Sequence, residues 1–526
     1  MKKVGTMMLA LALMLILTTS LMAQSVGDYR TRASGDWSNA QIWQRFNGTS
    51  WVNIGTPPTG AETITVQSAD SVFVNVAVSI TGTLVNQGIV EPSTNLSIAD
   101  KGTYQHDRNG GRVPRATWQK GSTLLITGVT STAPNDRNQN YYNLTFNTPG
   151  LSANLNMNLN RNTIGGDVRV INTGPTNRWY LTSTSADSTA IVTIMGDVIV
   201  ESGQFSVQGT SNARTTFIVN HYGNIKVTGG NFSISRGSQA GGTTTWYLYE
   251  GNFSMSNATT QSSTTTPGGA KFVFAKQGTQ TLMLGAGNTL TALPIEVKSG
   301  TILDMGSSAL AGSGIFILNK GATLMTALAG GVAEIFANTT GTVTLEDESS
   351  YGFNGTTAQV TSTRMPATVT DLLINNPAGV TLSQPTTING KLRLMAGVFD
   401  NTIPFTLGPN GSISYEGGSL KIPVSVKSPV RNVPETFFIE QNYPNPLQVS
   451  GHNPSTTIKF GLPSPARVSI KIFNILGEEV ATLFDGHKDA GMHEVRFEAE
   501  NLSAGFYLYQ VRAGDFVGMK RLVLLK

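Results

Sequence analysis

A short motif recurs at a spacing of about 28 residues in the middle of the chain, and this repeat limits the folds that the chain can adopt. Each copy is a glycine followed by Asp or Asn and then by an apolar residue. Fixed periods of about 20–50 residues are typical of architectures in which each repeat stacks on its neighbours. The four copies are Gly166-Asp167-Val168, Gly196-Asp197-Val198, Gly223-Asn224-Ile225 and Gly251-Asn252-Phe253.

One repeat contains three short runs of β-branched or aromatic residues, at 196–200, 204–207 and 215–219, with no room for a helix. Three strands per repeat predict one coil of a right-handed parallel β-helix, with successive coils about 4.8 Å apart. A string of small β-sandwiches is the alternative interpretation, but the repeat is too short to hold one sandwich. Only 13% of the residues are charged, while 57 are glycine, and this composition favours strands and turns over long helices.

Residues 1–23 have the pattern of a signal peptide. Lys2 and Lys3 precede an apolar run at 7–17, and Ala23 ends a small-residue context that suits cleavage. The apolar run is shorter than the roughly 20 residues that span a bilayer. No later segment has comparable apolar length, so we expect no transmembrane segment in the mature chain.

Composition divides the rest of the chain into four parts. Residues 24–130 contain Trp37, Trp43 and Trp51 among others, and we predict that they form a cap and the first coils. Residues 131–421 are rich in Gly, Thr and Asn and are predicted to form the solenoid, and a Pro-containing linker follows at 422–436. Residues 437–526 contain alternating strands, such as 467–472, that are typical of an antiparallel β-sandwich. The predicted fold class is therefore all-β, a right-handed parallel β-helix-like solenoid followed by a small C-terminal antiparallel β-sandwich.

This last part resembles a type A sorting domain of the type IX secretion system. The resemblance rests on Gln441 to Pro446, Asn453 to Ile458, Phe473 to Val480, Leu502 to Tyr507 and the final run 520–526. One departure is the separation of the first two motifs by Leu447 to His452, which we interpret as a loop insertion. The residues assigned to the sorting motif are Tyr443, Pro444, Asn445, Pro446, Asn453, Pro454, Ser455, Thr456, Gly477, Gly505 and Lys520.

The resemblance implies a route and a set of partners. It implies Sec export, passage through the type IX outer-membrane translocon, and removal of the module by a sortase-like protease. The expected location is extracellular or on the outer cell surface, where a surface polysaccharide is a further expected partner. We predict cleavage within 422–436, because a Pro-rich backbone is poorly suited to sheet pairing. The run 102–111, with Thr117 and Trp118, resembles repeat-rich exported surface proteins of the Bacteroidetes and Chlorobi type, and no activity comes with that resemblance.

Composition also excludes several kinds of chemistry. The absence of cysteine excludes disulfides, thiolate metal sites and a cysteine nucleophile. The sequence has no HExxH, GxSxG or Walker motif. The net charge of +4 comes without a dense basic stripe, which argues against nucleic-acid binding. We therefore predict no metal site and no cofactor, with Ca²⁺ as a secondary hypothesis.

Asp167 and Asp197 are the candidate catalytic residues. If the coils are in register, these carboxylates stack about 5 Å apart, which suits calcium binding or a retaining glycosidase pair. The same column continues with Asn224 and Asn252, and a series of Asp and Asn is typical of turn capping, in which each side chain bonds the backbone of its own turn. We favour the structural interpretation over catalysis.

A second hypothesis places glycan contacts at Tyr104, His106, Arg108 and Trp118, and the first three belong to the densest polar cluster of the cargo. The alternative is a solvated loop with a turn at Gly110, and we favour it. The leading functional hypothesis is a secreted or cell-surface protein that is adhesin-like or structural and not an enzyme. The alternatives are a β-helix carbohydrate-active enzyme, such as a polysaccharide lyase or hydrolase, or a glycan-binding protein.

Overall fold

A computed structural model describes residues 24–182, 189–209, 216–235, 243–261, 269–285, 289–291, 293–423, 434, 436–448, 455–499 and 502–525. The chain divides into two compact units, one up to Ile422 and one from Pro423. Strands make up 51% of the structure and helices 2%. The predicted all-β class is confirmed: the first unit is a β-solenoid of about 14 turns, and the second is antiparallel apart from one short strand.

The longest sheet of the solenoid contains 19 of the described strands. It begins with an antiparallel meander of Trp51–Asn53, Trp43–Phe46 and Tyr29–Thr31, and every later strand is parallel to the one before it. The parallel strands, in chain order, are Thr63–Val66, Thr83–Asn86, Thr103–His106, Thr123–Ile126, Asn143–Asn147, Val168–Asn172, Val198–Val200, Ile225–Val227, Phe253–Met255, Gly278–Leu284, Thr301–Asp304, Thr323–Thr326, Ser350–Phe353, Leu372–Asn375, Lys391–Ala396 and Ser412–Tyr415.

Two further parallel sheets complete the walls of the middle coils. We name the larger one the outer wall. It consists of Asn162–Ile164, Thr189–Ile194, Thr216–His221, Thr243–Leu248, Ala270–Phe274, Ile295–Val297, Phe316–Leu318 and Val343–Leu345. The third wall consists of Leu155–Asn156, Arg178–Tyr180, Gln204–Gln208, Asn231–Ser235, Thr259–Gln261 and Thr289–Thr291.

The first and last coils have the same three-walled plan with shorter strands. In the first coils, one sheet consists of Gly35–Asp36, Ser71–Phe73 and Ile89–Val90, and another of Val78–Ile80, Leu96–Ile98 and Thr117–Trp118. In the later coils, one short sheet consists of Ala311–Gly312 and Asn338–Thr339. The two that follow consist of Gln359–Val360, Val380–Thr381, Val398–Asp400 and Ser419–Leu420, and of Thr368–Val369, Thr386–Ile388 and Phe405–Leu407. Within the described ranges the helices are a 3₁₀ turn at Ala40–Ile42 and one α-helical turn at Gly331–Ile335. None of the described helices is long and apolar enough to cross a membrane.

Alternating side chains fill the space between the walls. In the long sheet, Leu84, Tyr104, Leu124, Leu144 and Val168 follow one another in register, and all five are fully buried. Their neighbours along each strand point outward, because successive side chains of a strand alternate between its faces. One continuous hydrophobic core therefore runs through the solenoid.

The N-terminal end of the solenoid is closed by tryptophans. Trp37 and Trp43 are buried and meet edge to face, with ring centroids 5.1 Å apart. The Trp43 indole N–H donates to the Trp37 carbonyl at 2.9 Å, and that of Trp37 donates to Pro58 at 3.2 Å. Trp51 is half-buried beneath the guanidinium of Arg30. This arrangement is that of a packed cap.

The predicted coil of three strands is confirmed at Val198–Val200, Gln204–Gln208 and Thr216–His221. Sequence reasoning missed the shorter period before it. The positions that stack in register there are Thr63, Thr83, Thr103, Thr123 and Asn143. The same coil is thus built from about 20 residues near its beginning and from about 27 to 30 residues in its middle.

The second unit is a β-sandwich with its own core. One sheet contains Phe438–Ile439, Ser455–Leu462 and Gly491–Glu498, and the other contains Leu447–Gln448, Phe516–Leu525, Gly505–Ala513, Ala466–Phe473 and Glu479–Lys488. Ile458 and Phe460 of the first sheet share this core with Ile470 and Tyr509 of the second. The alternating pattern at 467–472 is confirmed as a half-buried strand, since Val468, Ile470 and Ile472 are buried.

Candidate functional site

The column that contains Asp167 and Asp197 is a continuous hydrogen-bonded ladder, which we name the Asx ladder. Its members are Asn143, Asp167, Asp197, Asn224 and Asn252, each at the beginning of a strand of the long sheet or just before it. The Oδ1 atom of each member accepts a hydrogen bond from the backbone N–H at the matching position of the next coil. The bonds run from Asp167 to Asn143 (2.9 Å), Asp197 to Asp167 (2.7 Å), Asn224 to Asp197 (2.8 Å), Asn252 to Asn224 (3.0 Å) and Thr281 to Asn252 (2.8 Å).

This geometry corrects one detail of the sequence interpretation. The Asp and Asn pattern predicts bonding to the backbone of each residue's own turn, but each side chain bonds the following coil. Coil-to-coil bonding satisfies backbone N–H groups at the bends between the walls, where the strands of the sheet do not reach them. The ladder therefore links successive coils through hydrogen bonds between side chains and backbone.

Asp197 has further partners that oppose an acid–base role. Its Oδ1 atom also accepts from the Asn224 side-chain amide at 3.0 Å, and its Oδ2 atom lies 2.5 Å from the Lys226 ammonium. Burial opposes the charge on Asp197, but these donors outweigh burial and hold the pKa of Asp197 below its usual range. A general acid at neutral pH needs a raised pKa. A calcium ion at Asp197 would have to displace these donors from the two carboxylate oxygens.

Beside the ladder, glycines stack on one another, and we name Gly166, Gly196, Gly223 and Gly251 the glycine column. A Cβ atom on Gly223 would lie 2.0 Å from the carbonyl oxygen of Gly196, and one on Gly251 would lie 1.8 Å from that of Gly223. Side chains are excluded by the closeness of successive backbones. The Gly-Asx pair of the repeat therefore has two causes at the same bend. The glycine allows close approach of successive backbones, and the Asp or Asn accepts the hydrogen bond between coils.

We predict that Asp197→Ala lowers the free energy of unfolding of the solenoid by about 1 kcal/mol, because it leaves the backbone N–H of Asn224 without its acceptor. Asp197→Asn retains a side-chain oxygen and is expected to change that free energy by less than about 0.5 kcal/mol. Urea unfolding followed by circular dichroism measures both. Equal losses from the two variants would contradict the ladder as the source of the stability.

The four residues of the glycan-contact hypothesis do not form a common exposed surface. Tyr104 and His106 are completely buried, and the Tyr104 hydroxyl accepts a hydrogen bond from Asn86 at 2.6 Å. Trp118 is half-buried against Tyr104 and donates to Gln139 at 3.1 Å, and the Arg108 guanidinium donates to the carbonyl of Gly88. Their alternation along the strand sends Tyr104 and His106 inward, so neither can contact a sugar in this structure.

The two histidines of the solenoid are buried and neutral. The Nε2 atom of His106 is 2.8 Å from the Gly110 carbonyl, and that of His221 is 2.8 Å from the Gly196 carbonyl. Burial removes water from both rings and lowers the pKa of each to about 4, and the backbone contacts offset this only in part. Both therefore act as neutral hydrogen-bonded core residues at pH 7.

Sequence reasoning missed the outward face of the outer wall. Tyr222 and Tyr249 stack with ring centroids 5.3 Å apart, and Tyr247 and Tyr249 stack at 5.7 Å. Farther along the stack, the Glu296 carboxylate lies between the ammonium groups of Lys271 and Lys298. These residues come from four coils. In the sequence, the only sign that they lie together is that their spacing equals the length of a coil. We name them the tyrosine–lysine face.

In the second unit, the motif at 441–446 fastens the last strand. The Asn445 side chain donates to the Arg521 carbonyl at 3.0 Å and accepts from the Val523 backbone N–H at 2.9 Å, so it pairs with the strand as a backbone would. Asn442 is buried, and its side chain donates to the Thr456 hydroxyl at 2.9 Å. We name Asn442 and Asn445 the amide clamp.

Other motif residues are exposed. Tyr443 is 83% exposed, while the neighbouring clamp residue Asn442 is only 1% exposed. Ile475 and Leu476, at 76% and 78%, occupy the tip of a turn that the Asn474 side chain closes by accepting from Leu476 and Glu478 backbone N–H groups. The sorting motif thus contains side chains that hydrogen-bond within the sandwich and other side chains that project into solvent.

The remaining motif residues have varied positions. Gly477 has a φ of +82°, which favours glycine at that turn, and Gly505 and Lys520 lie in the paired strands 505–513 and 516–525. Ser455 and Thr456 begin a strand, whereas Asn453 and Pro454 lie outside the described residues. The segment interpreted as a loop insertion begins with a short strand, Leu447–Gln448, that pairs in parallel with Leu524 and Leu525. Residues 1–23 and most of the Pro-containing linker are likewise outside the described residues.

Metal ligands do not converge anywhere in the described residues: no three His, Asp or Glu side chains lie close enough together to hold an ion. No curated protein and no solved structure shows significant similarity to the chain. One family model does match, that of the secretion system C-terminal sorting domain, over residues 441–525. That match covers the amide clamp and every strand of the sandwich except Phe438–Ile439. The chain therefore carries a type IX C-terminal sorting domain at residues 441–525, and this tail implies export to the cell surface or the extracellular space.

Proposed function

We propose that the solenoid is an adhesin-like cargo without catalytic activity, displayed or released outside the cell by the type IX machinery. The observation that carries the proposal is the Asx ladder. Asp167 and Asp197, the two candidate catalytic residues, accept coil-to-coil hydrogen bonds, and Asp197 is ion-paired as well.

The architecture supports this proposal. About 14 coils at about 4.8 Å per coil give a solenoid roughly 65 Å long, whose walls present repeating outward side chains. Stability comes from contacts between neighbouring coils, so no cysteine is needed outside the cell. Such a scaffold offers a long surface for weak contacts that act together.

The test uses the host with the chromosomal gene intact, deleted, or encoding Asp197→Asn. We expect deletion to reduce attachment of cells to polysaccharide-coated surfaces, and Asp197→Asn to leave attachment unchanged. The purified protein should not lower the viscosity of acidic polysaccharides. Depolymerisation by the intact protein that is lost in a folded Asp197→Asn variant would overturn the proposal in favour of an enzyme. Normal attachment after deletion would also overturn it.

A further inference from the structure

The tyrosine–lysine face occupies adjacent outer-wall strands within one unit of the protein. Tyr222 follows Thr216–His221, Tyr249 follows Thr243–Leu248, and Tyr247 lies within that second strand. The two coils are held in register, since the Tyr249 backbone N–H donates to the His221 carbonyl at 2.8 Å. The buried residues between them, His221 and Leu248, face the core, so the three tyrosines lie together on the outer side.

The aromatic half of this face is open to solvent. Tyr222 is 39% exposed, and Tyr247 and Tyr249 are partly exposed. Their ring planes differ by only 23° and 18° within each stacked pair, which fixes them as one ordered surface. Tyrosine combines an apolar ring with a hydroxyl and loses little side-chain freedom on binding. Rings of this kind suit ligands that have both C–H and hydroxyl groups.

In the charged half of the face, the carboxylate is buried and the two ammonium groups are exposed. The Glu296 carboxylate lies 2.7 Å from the Lys271 ammonium and 2.8 Å from the Lys298 ammonium, and it accepts from Asn319 at 3.0 Å. The Glu296 side chain is 8% exposed, while those of Lys271 and Lys298 are 46% and 45% exposed. The recessed carboxylate therefore orients two ammonium groups, and the charge that the surface presents outward is positive.

The two halves are adjacent. Val273 stacks on Tyr247 in one column, and Glu296 stacks on Val273 in the next coil. Along the neighbouring column, the Ala275 N–H donates to Leu248 and the Lys298 N–H donates to Phe274, which places Lys298 two coils beyond Tyr249. A ligand that extends along the stack for four coils would meet tyrosine rings first and ammonium groups next.

We propose that the tyrosine–lysine face binds an acidic polysaccharide, with sugar rings against Tyr222, Tyr247 and Tyr249 and with carboxylate or sulfate groups at Lys271 and Lys298. This inference rests on the proposed adhesin function and specifies the ligand class for it. Rigid tyrosines and a small number of ammonium groups together favour a chain of charged sugars over a nucleic acid, which binds chiefly through many phosphate contacts with Lys and Arg.

The experiment measures binding of the full secreted protein by isothermal titration to four polymers: polygalacturonate, dextran sulfate, neutral dextran and single-stranded DNA. We expect binding to one or both acidic polysaccharides and not to dextran. Polygalacturonate tests carboxylate as the anion, and dextran sulfate tests sulfate. Equal binding to DNA would show that the face does not select sugars, and it would overturn the inference.

Variants locate the site. Tyr222→Ala with Tyr249→Ala, and separately Lys298→Ala, are each expected to weaken binding about fivefold or more. Tyr415→Ala and Lys421→Ala are matched controls, since both side chains are exposed in the last coil and should leave affinity unchanged. Circular dichroism checks that each variant is folded, and the single variant Tyr222→Ala, which removes the most exposed of the rings, replaces a misfolded double variant.

The outcomes separate this inference from the proposed function. Binding by the intact protein that the face variants do not weaken would overturn the assignment of the site and leave adhesion standing. An absence of binding to every acidic polysaccharide, with deletion of the gene still reducing cell attachment, would overturn the ligand class alone. Loss of attachment in cells that carry the Lys298→Ala protein would support both.

Discussion

Gly251→Ala is expected to lower the free energy of unfolding of the solenoid by about 3 kcal/mol or more, because its methyl group would enter the backbone of the neighbouring coil. The added Cβ atom would lie 1.8 Å from the Gly223 carbonyl oxygen and 2.3 Å from its carbonyl carbon. Backbone atoms cannot rotate away as the end of a flexible side chain can. Relief requires that two coils separate, which breaks the Asx ladder between Asn224 and Asn252.

Gly150→Ala is the matched control, since no atom beyond its chain neighbours lies within 4 Å of the position that an added Cβ would take. It is expected to change the unfolding free energy by less than about 0.5 kcal/mol. Urea unfolding followed by far-ultraviolet circular dichroism compares both with the natural protein. A Gly251→Ala protein as stable as the Gly150→Ala protein would contradict the close approach of the coils.

Asn445→Ala is expected to reduce the amount of protein that is exported. The substitution removes two hydrogen bonds to the last strand and should destabilise the sandwich by about 2 kcal/mol, at about 1 kcal/mol for each bond. Destabilisation of that size changes the abundance of a protein in the cell several-fold. We therefore expect the amount of exported protein to fall several-fold, with the remainder degraded or retained in the periplasm.

Gln448→Ala is the control for this prediction, because Gln448 is exposed beside the clamp and Asn445 is not replaced. Immunoblots of periplasm, cell surface and medium measure export, and thermal unfolding of the isolated natural and variant proteins measures stability. Normal export of an Asn445→Ala protein whose sandwich is destabilised would show that the sorting machinery tolerates a loosened last strand. Unchanged stability would contradict the clamp itself.

The middle coils were predictable because one bend imposes two residue types at once. Close backbone approach requires glycine, and coil-to-coil bonding requires Asp or Asn, so the pair recurs at Gly196-Asp197 and Gly223-Asn224. In the first coils, threonine occupies the equivalent position, as at Gly82-Thr83 and Gly102-Thr103. Gly-Thr pairs are common throughout the chain, so the shorter period there had no distinctive signal.

The candidate sites were less predictable because they depend on which face a side chain occupies. Tyr104 and His106 read as a polar surface cluster, but register with Leu84 and Asn86 places both inside. Tyr222 and Tyr249 are far apart in the sequence and meet only because their separation equals one full coil. The sorting motif was recognisable as a family pattern, but the division between fastening Asn445 and exposed Tyr443 needed coordinates.

The perimeter of the coil changes along the solenoid, and this controls where a binding surface can exist. The outer wall has strands of six residues at Thr189–Ile194, Thr216–His221 and Thr243–Leu248, but of only three at Ile295–Val297 and Phe316–Leu318. A strand of six residues places three side chains outward, whereas a strand of three places one or two. The broad middle coils can hold aromatic rings side by side as well as one above another. The narrower coils that follow present fewer side chains outward on this wall, and there the face has charged groups in place of rings.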